Sequence, residues 1–247
     1  MKRISKLEGK TVAIVGLGRS WFDYNLAKSH GGHFDEVWAI NSVGSVIFHD
    51  RIFMMDPPSR FLDSEDAGMQ TDSMVKMLKE HKGPIYTCQK DKRCPGLVEY
   101  PIEEVLGACG CHYLNNTVSY AIAFALWNKV RYLKLYGIDF GYKGNLYFAE
   151  AGRASVEFCL SKCMHAGIQV EVAATSTLLD TSIPDDEKLY GYHRLDDPLV
   201  VIKDEKGILI AKKRSQVMQY KASPEPTLID RNDGHLKKNK IGEPNKW

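Results

Sequence analysis

Residues 10–41 constrain the fold more than any other stretch of the chain. Thr11-Val12-Ala13-Ile14-Val15 is an apolar, β-branched run of strand length, and it breaks at once into Gly16-Leu17-Gly18-Arg19-Ser20. An amphipathic segment from Trp21 to Lys28 follows, and a second apolar run, Glu36-Val37-Trp38-Ala39-Ile40, ends on Asn41. The order strand, glycine turn, helix, strand is one βαβ unit. Glycines let the backbone approach a phosphate closely, and the helix start behind them points N–H groups at it. The stretch therefore reads either as a nucleotide site at the carboxyl end of the first strand or as an ordinary tight turn.

The residues depart from the dinucleotide fingerprint. Trp21 stands where a third glycine would let helix and strand pack closely, and the second strand ends on Asn41 rather than on an acid that would hold a ribose. An amide both donates and accepts, so Asn41 can read a base or a ribose without being the signature of a nicotinamide enzyme.

The remainder of the chain continues the alternation. Arg51–Met55 reads as a third buried strand, stopped by Pro57-Pro58, with Asp56 at its end as either a ligand contact or a turn cap. Asp72–His81 has helical spacing, and 84–88 is a short strand. Tyr100–Leu106 reads as a strand end and short helix. Asn115-Asn116-Thr117 caps an Ala-rich buried helix whose start is a second anion-friendly end. Tyr132–Phe140 is a strand running into Asp139, 141–147 a loop, Ala154–Ala166 a helix, and Ile168–Val172 the last parallel strand. The expected fold is α/β: a Rossmann-like parallel sheet with helices on both faces over residues 1–181. Residues 182–247 are expected to form an accessory β-hairpin around Gly207 and a polar, basic tail.

The 247 residues are 44% hydrophobic with a net charge of +2, so no global field marks a nucleic-acid binder. Lys212-Lys213-Arg214 and Lys237-Lys238-Asn239-Lys240 nevertheless make a local basic excess that is either a solvated end or a contact for nucleic acid. No apolar run reaches the ~20 residues a membrane span needs, and no signal-peptide core follows the basic start, so a cytoplasmic protein is expected. The 6 cysteines are expected as reduced thiols, since neither Cys109-x-Cys111 nor Cys159-x₃-Cys163 belongs to a four-ligand zinc pattern.

The order of these elements resembles the sialyltransferase-like glycosyltransferases of bacterial surface glycans. The matching residues are Val12–Ser20, against a strand followed by Gly-Asn-Gly-Pro-Ser in that family, then Asn41 and Tyr136-Gly137-Ile138-Asp139-Phe140 with Tyr147 beyond it. The helix containing Val156-Glu157-Phe158, followed by Ser176-Thr177-Leu178-Leu179, completes the set. The layout is also similar to the archaeal hydroxymethylpterin diphosphokinase-like family, its motility-accessory relatives, and uncharacterised phage proteins with Asn-Asn-Thr, Tyr-Gly-Ile-Asp-Phe and Gly-Arg-Ala. For a phage-encoded chain the expected location is the host cytoplasm.

The resemblance implies a nucleotide-sugar donor held by Gly16, Gly18, Arg19, Ser20 and Asn41. Asp56, the Asn115-Asn116-Thr117 helix start and Tyr142 would lie beside it, with no metal or other cofactor required. Tyr147 would stabilise the departing phosphate; Gly141 stands at the other tyrosine position, and Tyr142 is displaced from it by one residue. The family's histidine-bearing lid is missing, which leaves Asp139, Glu150 or Glu157 as the base; Arg153 would hold a phosphate or pair with Glu157. The acceptor is open, a modified DNA base reached through the basic tail being one reading, and so is homo-oligomerisation. The alternatives are a phosphoryl or pyrophosphoryl transferase with Mg²⁺ on Asp56 and Asp139, and a catalytically silent nucleotide-binding protein. A valine at Gly18 is expected to fill the phosphate space while leaving the fold intact.

Overall fold

The computed structural model describes residues 1–65, 67–68, 71–141, 145–189 and 199–217. In chain order the first unit contains β1 (Thr11–Val15), α1 (Trp21–Ser29), β2 (Glu36–Ile40), β3 (Arg51–Phe53), α2 (Ser59–Leu62) and α3 (Thr71–Glu80). There follow β4 (Ile85–Thr87), β5 (Leu97–Glu99), α4 (Ile102–Cys109), α5 (Thr117–Asn128), β6 (Tyr132–Tyr136), α6 (Leu146–His165) and β7 (Gln169–Val172). The strands form one 7-stranded sheet in the order β5-β4-β3-β2-β1-β6-β7, and every neighbouring pair is parallel. Contacts divide the chain after Pro184. Beyond that point β8 (Leu199–Lys203) and β9 (Leu209–Lys213) pair antiparallel as a hairpin, and a single turn, α7 (Arg214–Val217), follows.

The strands are apolar on both sides because both faces of the sheet are covered. Along β1, Val12 and Ile14 enter one core with Trp38, Phe53, Tyr86 and Phe124, under α4, α5 and α6. Ala13 and Val15 point the other way, into a core with Tyr24, Met74, Leu78 and Tyr136, under α1, α2 and α3. Four of the cysteines belong to the α4–α6 side, three of them buried. Burial pushes the Cys109 thiol up to about 11 and that of Cys159 to about 12. Cys109 and Cys163 donate to adjacent carbonyls of α5, those of Ala123 and Ile122. No described helix is long and apolar enough to cross a membrane.

Several boundaries differ from the sequence reading. β3 ends at Phe53 and β6 at Tyr136, earlier than expected, because the chain turns as soon as the sheet ends. β5 is Leu97–Glu99 rather than a strand end at Tyr100. The largest correction is α6, which begins at Leu146 instead of Ala154. Asn145 caps it by accepting from the Phe148 N–H at 3.2 Å. Gly152 lies inside the helix, where a Cβ would come within 2.8 Å of the Phe140 ring.

The crossover between β2 and β3 is fastened to α3 by two histidines. His49 Nδ1 donates to the Ile47 carbonyl at 2.9 Å, so its Nε2 is an acceptor. His81 Nδ1 accepts from the Gly83 N–H at 2.9 Å, so its proton is on Nε2. The two Nε2 atoms lie 2.9 Å apart, with His81 donating to His49. An added proton on either ring removes one of these bonds. Burial, and then the neighbouring His49, hold the His81 pKa below the ordinary histidine value. A histidine with a depressed folded pKa contributes its full stability above the unfolded value and loses it as pH falls below that value. The melting temperature should therefore fall as pH drops from 7 to 5. The part due to one lost hydrogen bond, about 1 kcal/mol or 2–4 °C, should be missing in His49→Gln. Equal slopes of melting temperature against pH in the two proteins would refute this.

Candidate functional site

The sheet order sets the place. The chain builds outward from β1 through β2, β3, β4 and β5, then returns to lay β6 on the other side of β1. Strand order reverses between β1 and β6, and an open parallel sheet leaves a crevice outside the carboxyl ends of the strands at such a point. A cleft of about 930 Å³ lies there. Gly16–Arg19 after β1, Asn41 after β2 and 137–141 after β6 form its walls, with Val118 of α5 and Thr175 and Thr177 after β7.

The β1–α1 turn and the end of β6 are built against each other, backbone to backbone. Gly16 N–H donates to the Tyr136 carbonyl and Gly18 N–H to that of Gly137, both at 2.8 Å. Ser20, fully buried, is the clasp: its Oγ accepts from Gly137 N–H at 2.9 Å and donates to Asp139 Oδ1 at 2.9 Å. Its N–H donates to Asp139 Oδ2 at 2.7 Å. The positive end of α1 thus already faces a carboxylate of the protein itself. Gly137, at φ +64°, also supplies the close approach for which the dinucleotide pattern uses a third glycine, since its missing Cβ leaves room for Trp21 Cβ.

This geometry corrects the expectation for Gly18. A Cβ there would meet Asp139 Oδ2 at 2.5 Å and the Gly137 carbonyl oxygen at 2.7 Å, both of them protein atoms. A valine at this position would break the clasp and the fold around it, so it is not a clean probe of ligand binding.

Several polar groups on the cleft are left open. Among the described residues, no protein acceptor meets the N–H of Leu17 or of Arg19, and the exposed Arg19 guanidinium has no carboxylate partner. Asn41 sits at φ +52°, and its Oδ1 is buried with no hydrogen-bond donor. A buried amide oxygen without a donor costs about 1–3 kcal/mol, and a left-handed backbone at a non-glycine residue adds to that cost. Asp23, by contrast, is occupied: its Oδ2 accepts from Thr175 N–H at 3.1 Å and from Thr175 Oγ1 at 2.9 Å, tying α1 to the loop after β7.

The other expected site residues lie apart from this group. Asn116 caps α5 through the Ser119 N–H, and its amide donates to Asn115 Oδ1 and the Gly152 carbonyl; Asn115 donates to the Ala151 carbonyl. That pair docks α5 on α6, and neither it nor Thr117 lines the cleft, whereas the next residue, Val118, does. Arg153 binds Glu157 through Nε and Asp180 through a terminal nitrogen, each at 2.8 Å, and Glu157 also accepts from Leu179 N–H at 2.9 Å. The Arg153–Glu157 pairing weighed in the sequence is therefore an ion pair, and it holds the left-handed turn at Leu179 and Asp180. Tyr147, expected in a loop, is in the first turn of α6, 83% exposed and outside the cleft lining. Tyr142 lies outside the described residues.

Asp56 pairs with Arg60. It follows β3, whereas Asp139 follows β6, three strands away in the sheet order, and Asp56 is not among the residues lining the cleft. Among the described residues no group of three or more His, Cys, Asp or Glu side chains could hold a metal ion. Sequence reasoning did not name Phe22, Val118 or Thr175 as site residues; Phe22 lies in the first turn of α1, and Val118 and Thr175 reach the cleft through tertiary packing. Comparison with protein-family models, with curated proteins and with solved structures finds no match to this chain.

Proposed function

We propose that the protein binds a nucleotide in the cleft between the ends of β1 and β6. We further propose that it uses a nucleotide sugar as a glycosyl donor, the activity implied by the resemblance to the sialyltransferase-like enzymes. The observation that carries the reading is the orphaned Asn41 Oδ1, buried on one wall of a cleft that also presents the unpaired Arg19 cation and two open backbone N–H groups. A ligand with an anionic group meets the Arg19 cation and the two N–H groups together, and a hydroxyl or amine donor on it satisfies the Asn41 oxygen once the amide turns toward the cleft. The anion belongs beside Leu17 and Arg19 rather than over Ser20, whose N–H Asp139 already takes. A calorimetric titration with 5′-nucleoside monophosphates tests this. Arg19→Ala should weaken binding about tenfold or more, the value of one charge-assisted hydrogen bond at ~1.5–3 kcal/mol. Unchanged affinity in that variant would refute the assignment.

A second reading, nucleotide binding without turnover, is favoured by one specific observation. Two of the three carboxylates available as a base are already engaged, Asp139 by Ser20 and Glu157 by Arg153 and Leu179. The third, Glu150, is exposed on α6 and outside the cleft lining. Donor hydrolysis by the purified protein separates the two: release of free sugar supports transfer chemistry, and binding without release supports the silent protein.

A further inference from the structure

We infer that Phe22 is the surface on which the flat ring of the ligand stacks, so that the cleft selects a base-bearing phosphate over a simple sugar phosphate. This rests on the nucleotide reading and adds to it a recognition element that the glycine turn does not supply.

Most apolar residues on the cleft form its floor: Ile40 and Ile138 are buried, and Val118 and Phe140 are half-buried. Two stand out at the rim, Phe22 at 66% exposure and Leu17 at 50%. Phe22 is in the first turn of α1, three residues after Arg19. Trp21 backs its ring at a centroid distance of 4.9 Å, which limits the positions the ring can take. Leaving a phenylalanine in water forgoes most of the stability its burial would contribute. Here the ring stands beside an unpaired cation and open N–H groups, the combination that binds a group with an aromatic face at one end and negative charge at the other. Asn41 follows β2 and α1 packs its Tyr24 on Tyr136 of β6, so the polar wall and the aromatic rim lie on opposite sides of the β1 end. A ligand that spans them presents its ring to Phe22, its phosphate to Arg19 and a donor to Asn41.

The test is a set of calorimetric titrations of the full chain with inorganic phosphate, ribose 5-phosphate and 5′-nucleoside monophosphates, in the wild type, Phe22→Ala and Phe22→Tyr. Stacking of one base is expected to make the nucleotides bind roughly five- to a hundredfold more tightly than ribose 5-phosphate in the wild type. That difference should disappear in Phe22→Ala and persist in Phe22→Tyr, with phosphate affinity equal in all three proteins. Because Phe22 is largely exposed, both variants should fold. If the nucleotides keep their advantage in Phe22→Ala, or if phosphate weakens alongside them, the stacking role is overturned while nucleotide binding stands. If the wild type binds none of the three ligands, the nucleotide reading fails and this inference fails with it.

Discussion

Gly137→Ala should be the most damaging single substitution in the first unit, lowering unfolding free energy by about 3 kcal/mol or more. Two effects add. The residue is held at φ +64°, where an L side chain costs ~1–2 kcal/mol. The new Cβ would also overlap the Gly16 carbonyl oxygen and approach Trp21 Cβ to 2.9 Å, so the β1–α1 turn and the end of β6 would have to separate. Both are central in the sheet, and neither can shift without disturbing the ladder that pairs Val15 with Tyr136. Urea unfolding checks this. A loss below 1 kcal/mol would mean that the two backbones are not in contact as described.

Asp139→Ala should cost about 2–3 kcal/mol. It removes acceptors from the Ser20 N–H and Oγ in a part-buried setting, and it removes a negative charge from the start of α1. Asp139→Asn should cost less, because one oxygen is retained, but its amide would face a donor. The same pair of variants distinguishes a clasp from a catalytic base. A clasp loses stability in both proteins without weakening phosphate binding, since the repelling carboxylate is gone. A base in a glycosyl transfer would leave stability intact in Asp139→Asn and abolish turnover. The hydrogen bonds to Ser20 predict the first result, and thermal unfolding with a phosphate titration reads it.

Local sequence was enough for much of this architecture. The β-branched run at 11–15, the two glycines, and the apolar run at 36–40 specify one βαβ unit whatever the rest of the chain does. The repeated alternation then implies the parallel sheet and the hairpin beyond it. What sequence did not reveal was how the turn is used. Gly18 reads locally as space for a phosphate, but its open side faces Asp139, 121 positions further along the chain, and only the pairing of β1 with β6 brings them together. Asn115, Asn116, Glu157 and Arg153 have the chemistry of a site and are used in docking helices and a turn. The α6 start was legible in Asn145, an N-cap residue, but residues 141–147 read as a loop and the helix was expected only from Ala154. Asn41 was singled out as an amide that reads a ligand, yet its unsatisfied oxygen follows from burial, which no local pattern contains.

A nucleotide is expected to occupy the cleft between the ends of β1 and β6. Amide chemical shifts of the ¹⁵N-labelled protein, recorded during titration with 5′-nucleoside monophosphates, measure it directly. The expected result is saturable shifts at Leu17, Arg19 and Phe22, at Asn41, and at Val118 and Thr177, with little change at Asp56, Asn115 or Tyr147. Saturable shifts centred on the ends of β3 and β4 instead, or no shift anywhere at millimolar nucleotide, would contradict it.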